Sequence, residues 1–442
     1  MATWQLPTDL TLVLAHLATA LHGRLAFRLT VLCTGLLFAR GRRTVTSWLR
    51  AAGIGNDYKS YYYFLASLGR NIKLVGGLLL AKLRPLVAGS ERVLLAVDDS
   101  PTQRYGPCVE GAGLHHNPTP GPVAQKFVYG HVWVTVALVV RHAMWGSIAL
   151  PLWALLYVRR KDLQGLPRWY RVPFRTKLEM AADLVHWAVD WLQLRGKAVW
   201  VVADGAYAKR PFLRRVLALG VVVVSRLRKD AALRSLPAPK PAGRRGRQAR
   251  YGAAAIDLAK RAGQKRGWQT GRFTLYGQET QKKYKTFLAT YKPVGGLIRV
   301  VLVQERKSWV AFFCTQPDAT VAQILEGYAD RAALEQVFHD IKEVHGAGQQ
   351  QLRNYWANLG AFNLTLWTHT LIELWAWEQP HRRLVDRSAS PWDKAERRPS
   401  HGDRLKALRH QCLEQAIPHA DLAGAKKRKL KTLVKRLVQL AM

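Results

Sequence analysis

The sequence alternates between strand-like and helix-like patterns over residues 91–225, and this alternation constrains the fold most strongly. Short apolar runs such as VLLAV, VWVVA and VVVV are typical of buried strands, and the segment RTKLEMAADLVHWAVDWLQLR between two of them has helical periodicity. Strands that alternate with helices predict an α/β core, with a mixed sheet flanked by helices. A chain of 442 residues is also long enough for about two to four structural units.

Residues 1–90 form a basic segment for which helices are predicted. Two short helical patterns flank the glycine-containing break AAGIGND. This arrangement predicts either a helix-turn-helix that binds DNA or two helices that pack in a bundle. The segment contains 11 Lys and Arg but only two Asp. That charge makes DNA contact plausible under both interpretations.

Residues 226–315 predict a basic insertion that is rich in β-strands. Between Arg226 and Arg272 there are 14 Lys and Arg against two acids, and four strand-like stretches follow from GRFTLYG to SWVAFFCT. Arg244, Arg245 and Arg247 are candidates for contacts with a DNA backbone, although a flexible solvated loop has the same composition.

Helical patterns return in the last part of the chain. Residues 316–378 predict long helices that complete the core, and residues 379–442 predict a basic helical tail. The end of the tail carries an apolar stripe, which suits a dimer contact, a helix on a DNA backbone or ordinary packing. The stripe consists of Leu430, Leu433, Val434, Leu437 and Val438.

The net charge limits the classes of partner. The chain has 68 Lys and Arg against 29 Asp and Glu, a formal charge of +39, which favours a polyanion such as nucleic acid. A membrane is disfavoured because the longest apolar stretch, residues 132–158, is interrupted by Arg141, His142 and Pro151. The N-terminus lacks the pattern of a signal peptide, and the four cysteines form no C-x-x-C pair. We therefore expect a protein of the cytoplasm.

Three acids occupy positions that suit a metal site on a sheet. Asp99 is predicted at the end of the strand VLLAVDD, Asp204 at the end of VWVVADG, and Glu335 within the first long helix after the insertion. Each Asp alone is more often a turn former or a helix cap. Asp98 is the alternative to Asp99, because neighbours on a strand point to opposite faces and only one of them can face a metal.

The helix around Glu335 carries a polar stripe. Tyr328, Arg331, Glu335 and Lys342 fall within an arc of roughly 60° at about 100° per residue. An i, i+4 ion pair between Arg331 and Glu335 explains part of the stripe as a solvated face. It does not explain why Tyr328 and Lys342 continue it.

This spacing, Tyr328-x2-Arg331-x3-Glu335-x6-Lys342, resembles the YREK signature of the DDE-class insertion-sequence transposases of bacteria. VDDSPTQRYG and VVADGAY resemble the first and second acid motifs of the same family. The resemblance covers roughly residues 91–375. It implies a ribonuclease H-like core interrupted by a β-rich insertion, in which Asp99, Asp204 and Glu335 hold two Mg²⁺ ions, or Mn²⁺ in their place.

The resemblance also implies partners and further site residues. Tyr328, Arg331 and Lys342 match residues that hold the phosphates of a transposon end, and Trp309 lies where an aromatic side chain stacks on a flipped base in related enzymes. It implies a homodimer on double-stranded DNA, at the nucleoid of a bacterial cell. An ordinary sheet tryptophan remains the alternative for Trp309.

The sequence therefore predicts a DNA transposase that works by two-metal phosphoryl transfer. Two alternatives remain open. One is a ribonuclease H-like, structure-selective nuclease without strand transfer, and the other is a non-catalytic, domesticated DNA-binding protein.

Overall fold

The computed structural model describes residues 4–116, 126–194, 196–240, 245–385, 392–394, 397–416 and residue 437. Four helices come first. They are α1 (Thr8–Ala18), α2 (Gly23–Phe38), α3 (Val45–Ala51) and α4 (Tyr58–Leu83). Thr44 caps α3, its hydroxyl accepting a hydrogen bond from the Ser47 amide. The chain breaks between α3 and α4 at the predicted place, where Gly53 and Asp57 have φ of +76° and +55°.

Helix α4 is buried against a later helix, α10 (Tyr355–Trp377). Gly69 allows the close approach, because a Cβ atom there would lie 1.9 Å from the Trp356 carbonyl oxygen. By length and composition, Tyr58–Val87 is the one segment of the described chain that could cross a membrane, and 56% of its apolar window is buried within the protein. Its apolar composition is thus accounted for by packing, while the helix-turn-helix remains a prediction.

The centre of the protein is the predicted mixed sheet. Its strands and helices are β1 (Arg92–Gln103), β2 (Gly113–His116), β3 (Phe127–His142), β4 (Gly146–Tyr157), α5 (Lys177–Leu192), β5 (Ala198–Ala203), α6 (Arg210–Leu217) and β6 (Val222–Leu227). Strands β1, β5 and β6 run parallel to one another, whereas β3 is antiparallel to both β1 and β4. This α/β architecture confirms the predicted class and is compatible with a ribonuclease H-like fold.

Helix α10 protects the outer strand β4, which contains Pro151 and would otherwise expose unpaired backbone groups. The Asn363 side-chain amide accepts from the Ala154 N–H at 2.8 Å and donates to its carbonyl at 3.0 Å. Trp367 Nε1 donates to the Leu152 carbonyl, and the Thr370 hydroxyl donates to that of Pro151. These bonds explain why a buried helix carries polar residues.

The insertion extends the central sheet. It contains β7 (Leu233–Arg234), β8 (Ala255–Ile256), α7 (Leu258–Gly263), β9 (Gln269–Leu275), β10 (Gln278–Tyr291), β11 (Gly296–Gln304) and β12 (Trp309–Cys314). Strand β12 pairs antiparallel with β6, from Ala311 opposite Leu227 to Cys314 opposite Val224. The four predicted strand-like stretches are therefore present, and they belong to the same sheet as the core.

The helices after the insertion are α8 (Val321–Asp330), α9 (Ala332–Glu343), α10, α11 (His381–Leu384) and α12 (His401–Ala416). The prediction of a single helix through the polar stripe is wrong, because α8 ends and α9 begins at Arg331. There the Arg331 amide donates to the Tyr328 carbonyl and the Leu334 amide to the Arg331 carbonyl, which are i→i+3 bonds. Of the C-terminal stripe only Leu437 is described, and it is exposed. Leu430, Leu433, Val434 and Val438 lie outside the described residues.

Candidate active site

Asp98 lies on β1, and Asp204 directly follows the neighbouring parallel strand β5. Val97 on β1 is paired with Ala203, the last residue of β5, so the residue that comes next in each segment is an acid at about the same level. Paired residues of parallel strands point to the same face of the sheet. Strand β1 does not end at the acids, as the sequence suggested, but continues to Gln103 because Asp98 and the residues after it pair with β3.

Glu335 reaches the same face from the first turn of α9. Helix α9 buries Leu334, Val337 and Ile341 and turns its polar side toward the acids. The Arg331 guanidinium donates one hydrogen bond to Asp98 and another, 2.6 Å long, to Glu335 Oε1. Asp98, Asp204, Glu335 and Arg331 are called the acid site below.

Asp99 points to the opposite side of the strand and has other partners. Its Oδ2 accepts a hydrogen bond from Lys177 Nζ at 2.7 Å, and its Oδ1 accepts one from the Tyr207 hydroxyl at 2.7 Å. The structure thus brings Asp98, rather than the preferred Asp99, next to Arg331 and Glu335.

Burial dominates the electrostatics of the acid site. It raises the pKa of Asp98 to about 7, with the charges of Asp99 and Asp204 adding to the rise and the charge of Arg331 opposing it. Burial lowers the pKa of Arg331, but Asp98, Tyr328 and Glu335 outweigh that effect and raise it overall. A desolvated carboxylate of this kind is stabilised by a proton or a cation.

The donors of the acid site fit a hard divalent cation. Asp98, Asp204 and Glu335 offer only carboxylate oxygens, which are the ligands that Mg²⁺ and Mn²⁺ prefer. Arg331 already balances part of their charge in this structure. These three acids are the residues that could hold the metal.

Tyr328 also lies at the acid site, whereas Lys342 lies farther away. The Tyr328 hydroxyl is 3.5 Å from Asp204 Oδ1, and its ring packs on Phe312 with centroids 4.7 Å apart. Burial is the main cause that raises the pKa of Tyr328. Lys342 is seven residues beyond Glu335, roughly 10 Å along the helix, so the structure does not bring it to the acids. Burial lowers the pKa of Lys342.

The remaining predicted residues belong to the insertion. Trp309 begins β12, is half-buried, and has the Lys229 ammonium 5.3 Å from its ring centroid. Arg245 and Arg247 are exposed, and Arg244 lies outside the described residues. Their roles in DNA binding remain predictions.

Two residues that hold Asp99, namely Tyr207 and Lys177, were not identified from the sequence. Tyr207 stands in the segment VVADGAY, three residues after Asp204, so its position in the second acid motif was a usable signal. Lys177 begins α5 directly after the capping residue Thr176, and no motif marks it. Its role depends on the tertiary contact alone.

A mixed α/β sheet that carries carboxylates on neighbouring strands is compatible with a metal-dependent nuclease. The family described as DDE superfamily endonuclease matches residues 16–281 of this chain. The match covers more than half of the chain, and the protein belongs to this family. Membership supports nuclease- or transposase-like chemistry with DNA as the substrate, and enzymes of this family typically use divalent metals.

The family match includes Asp98, Asp99 and Asp204 but ends within β10, before α8 and α9. It confirms the resemblance to DDE-class enzymes without reaching the residues of the YREK pattern. No curated protein matches the sequence.

Proposed function

We propose that the protein is a DNA transposase that cleaves DNA at transposon ends and joins the freed ends to target DNA. The observation that carries this proposal is the convergence of Asp98 on β1 and Glu335 on α9 at Arg331, with Asp204 following β5 at the level of Asp98. Such a convergence is expensive for a folded protein unless it binds cations.

In this proposal Asp98, Asp204 and Glu335 hold two Mg²⁺ ions, or Mn²⁺ in their place. Asp98 takes the role that the sequence had assigned to Asp99, because Asp98 shares a face with Asp204. Bound divalent ions supply Lewis acidity for the attacking and leaving oxygens of phosphoryl transfer. Asp99, held by Lys177 and Tyr207, fixes the strand beneath them.

The chain's own cations position the DNA. A guanidinium binds a carboxylate or a phosphate with the same fork of donors, so Arg331 can exchange its carboxylate partners for a DNA phosphate. Tyr328 orients Asp204 through its hydroxyl. Lys342, Trp309, Arg245 and Arg247, together with the N-terminal helices, extend the contact along the duplex. Two transposon ends must be joined in one complex, so we expect a homodimer. We expect it to act in the cytoplasm.

The direct test is cleavage of a duplex that carries a transposon end. The ends can be taken from the DNA that flanks the coding region. We expect Glu335→Gln to abolish Mg²⁺-dependent cleavage while DNA binding stays at the wild-type level. Glu343→Gln is the matched control, because Glu343 is exposed and lies on the same helix. Cleavage by Glu335→Gln at the wild-type rate would overturn the proposal.

A second candidate is a nuclease that cuts DNA without strand transfer. The endonuclease description of the matching family favours it. The same reaction, supplied with a labelled target plasmid, separates the two. Joined donor and target DNA supports a transposase, whereas cleavage with no joined product supports the nuclease.

A further inference from the structure

A second polar cluster lies on the other side of α9 from the acid site. It consists of Asp340 on α9, His345 after it, His369 and Glu373 on α10, and His401 and Arg404 on α12; we call it the histidine cluster. Asp340 is five residues from Glu335, which places it roughly 140° around the helix. The two clusters therefore face different surroundings.

The histidine cluster is deeply buried. Glu373 is 1% exposed, and His369 and His401 are 3% exposed each. Ligand atoms of Asp340, His369 and His401 all lie within 4.8 Å of one another. His369 Nε2 and Asp340 Oδ2 are 3.7 Å apart, too far for a good hydrogen bond. Two ligands on one tetrahedral zinc ion, at about 2.0 Å each, are separated by roughly 3.3 Å. The observed spacing is close to that value.

Two of these three residues, His401 and Asp340, are oriented by their neighbours as metal ligands are. Glu373 accepts a hydrogen bond from His401 Nδ1 at 2.6 Å, which leaves Nε2 of that ring with its lone pair. Gln336 Nε2 donates to Asp340 Oδ1 at 2.8 Å and leaves the other oxygen available. Carboxylates that fix the tautomer of a histidine are a regular feature of zinc sites.

Hydrogen bonds alone do not satisfy the cluster. Among the described residues, His369 Nδ1 and His345 Nδ1 are buried without a hydrogen-bond partner. His345 Nε2 lies 2.8 Å from His401 Nε2; because His401 carries its proton on Nδ1, His345 donates this hydrogen bond and its own Nδ1 is left unpaired. The rings of His369 and His401 stack 4.0 Å apart, an arrangement that disfavours two imidazolium charges. Buried nitrogen atoms without partners are costly.

Charge and space also suit a cation. Asp340 and Glu373 carry two negative charges, and Arg404 balances one of them through its ion pair with Glu373. A cavity of about 240 Å³ adjoins the cluster, and its lining includes Asp340, His369, Glu373 and His401 together with Arg397, Arg398 and Arg404. The Arg398 guanidinium is directed to the Trp145 carbonyl, and that of Arg397 to Asp393 and Asp403.

We propose that Asp340, His369 and His401 bind one transition-metal ion of the zinc type, with His345 placed to supply a fourth ligand. Mixed imidazole and carboxylate donors suit zinc better than magnesium. The site joins α9, α10 and α12, so its role is structural. It fixes α9, the helix that carries Glu335, against α12. The proposal does not depend on the reaction assigned to the acid site.

The test uses the full chain without an affinity tag, stripped of metal and then titrated with Zn²⁺. We expect one Zn²⁺ per chain by elemental analysis after dialysis and a rise in Tm of several degrees, since a ligand that binds only the folded state stabilises it. An Asp98→Asn, Glu335→Gln double variant should bind the same amount, because the acid site is not involved. His369→Gln should bind none and show no rise in Tm.

His410→Gln is the matched control, since His410 is an exposed histidine on the same helix as His401. If His369→Gln does not fold, Co²⁺ added to the stripped wild-type protein gives an independent measurement. Intense visible absorption by tetrahedral Co²⁺ supports the site. Failure of the stripped wild-type protein to take up Zn²⁺, or full binding by folded His369→Gln, overturns the proposal.

Discussion

The acid site and the histidine cluster share helix α9 but differ in donors and in exposure. The acid site offers carboxylate oxygens, and its Glu335 side chain is 56% exposed. The histidine cluster offers imidazole nitrogens, and its Glu373 side chain is 1% exposed. Open oxygen sites exchange ions and admit a substrate, whereas closed nitrogen sites hold a metal for stability. In the two proposed roles, helix α9 carries a catalytic site on one side and a structural metal site on the other.

The largest expected effect on cleavage comes from substituting the two neighbouring acids of β1 one at a time. Asp98→Asn should reduce Mg²⁺-dependent cleavage below detection. This loss is well beyond the about 100-fold loss that is typical when a residue that only orients a metal ligand is changed. Asp99→Asn should fall within that smaller range, because Asp99 contacts Lys177 and Tyr207 instead of Arg331. Cleavage rates for the two purified variants decide the matter. The reverse order would return the first metal ligand to Asp99.

The same Glu→Gln substitution should change the free energy of unfolding by very different amounts in the two clusters. Glu373→Gln leaves Arg404 buried without its carboxylate, and we expect the free energy of unfolding to fall by about 3–5 kcal/mol. Glu335→Gln should change it by no more than about 1 kcal/mol, because its ion pair is solvent-exposed on one side. Urea denaturation of both variants measures the contrast. Equal losses would show that the two clusters are equally structural.

The smallest effect concerns pH, where a buried histidine and the acid site act with opposite signs. Burial, with the charge of Arg104 second, lowers the pKa of His131 to about 3, so the folded state resists protonation and loses stability as pH falls below about 6.5. The pKa of Asp98 is raised to about 7, so the folded state binds this proton more tightly than the unfolded chain does. The free energy of unfolding therefore rises as pH falls from about 7 toward about 4. Each effect amounts to about 1.4 kcal/mol per pH unit within its window.

Denaturation of single variants at about pH 7 and about pH 5 separates these two effects. His131→Gln should remove a loss of stability at the lower pH, and Asp98→Asn should remove a gain. If both variants keep the pH dependence of the wild-type protein, neither group titrates in this window.

Much of the fold and part of the site could be predicted from local patterns. Apolar runs and helical periodicity located β1, β5, α5 and α10, because each pattern reports the burial of its own segment. The same patterns placed Asp204 at the end of a strand and Glu335 on a helix, and the role of these acids in metal binding stays a prediction. The choice between Asp98 and Asp99 could not be made, since it depends on the register between β1 and β5, which no local pattern contains.

Two other features depend on tertiary structure. The change to i→i+3 bonds at Arg331 leaves helical periodicity almost intact, so the sequence predicted one helix where there are two. The histidine cluster was missed because Asp340, His369 and His401 come from three helices and follow no ligand spacing. Only the packing of α9, α10 and α12 brings them together.

The pairing of β12 with β6 has a mechanical consequence. A hydrogen-bonded sheet deforms far less readily than two domains joined by a linker. We therefore expect the insertion and the strands that carry the acids to move together as one rigid unit. The distance between the basic insertion and the acids is then constant. For a duplex that contacts both regions, as proposed, we expect the DNA and not the protein to bend, at an elastic cost of order 1–6 kcal/mol.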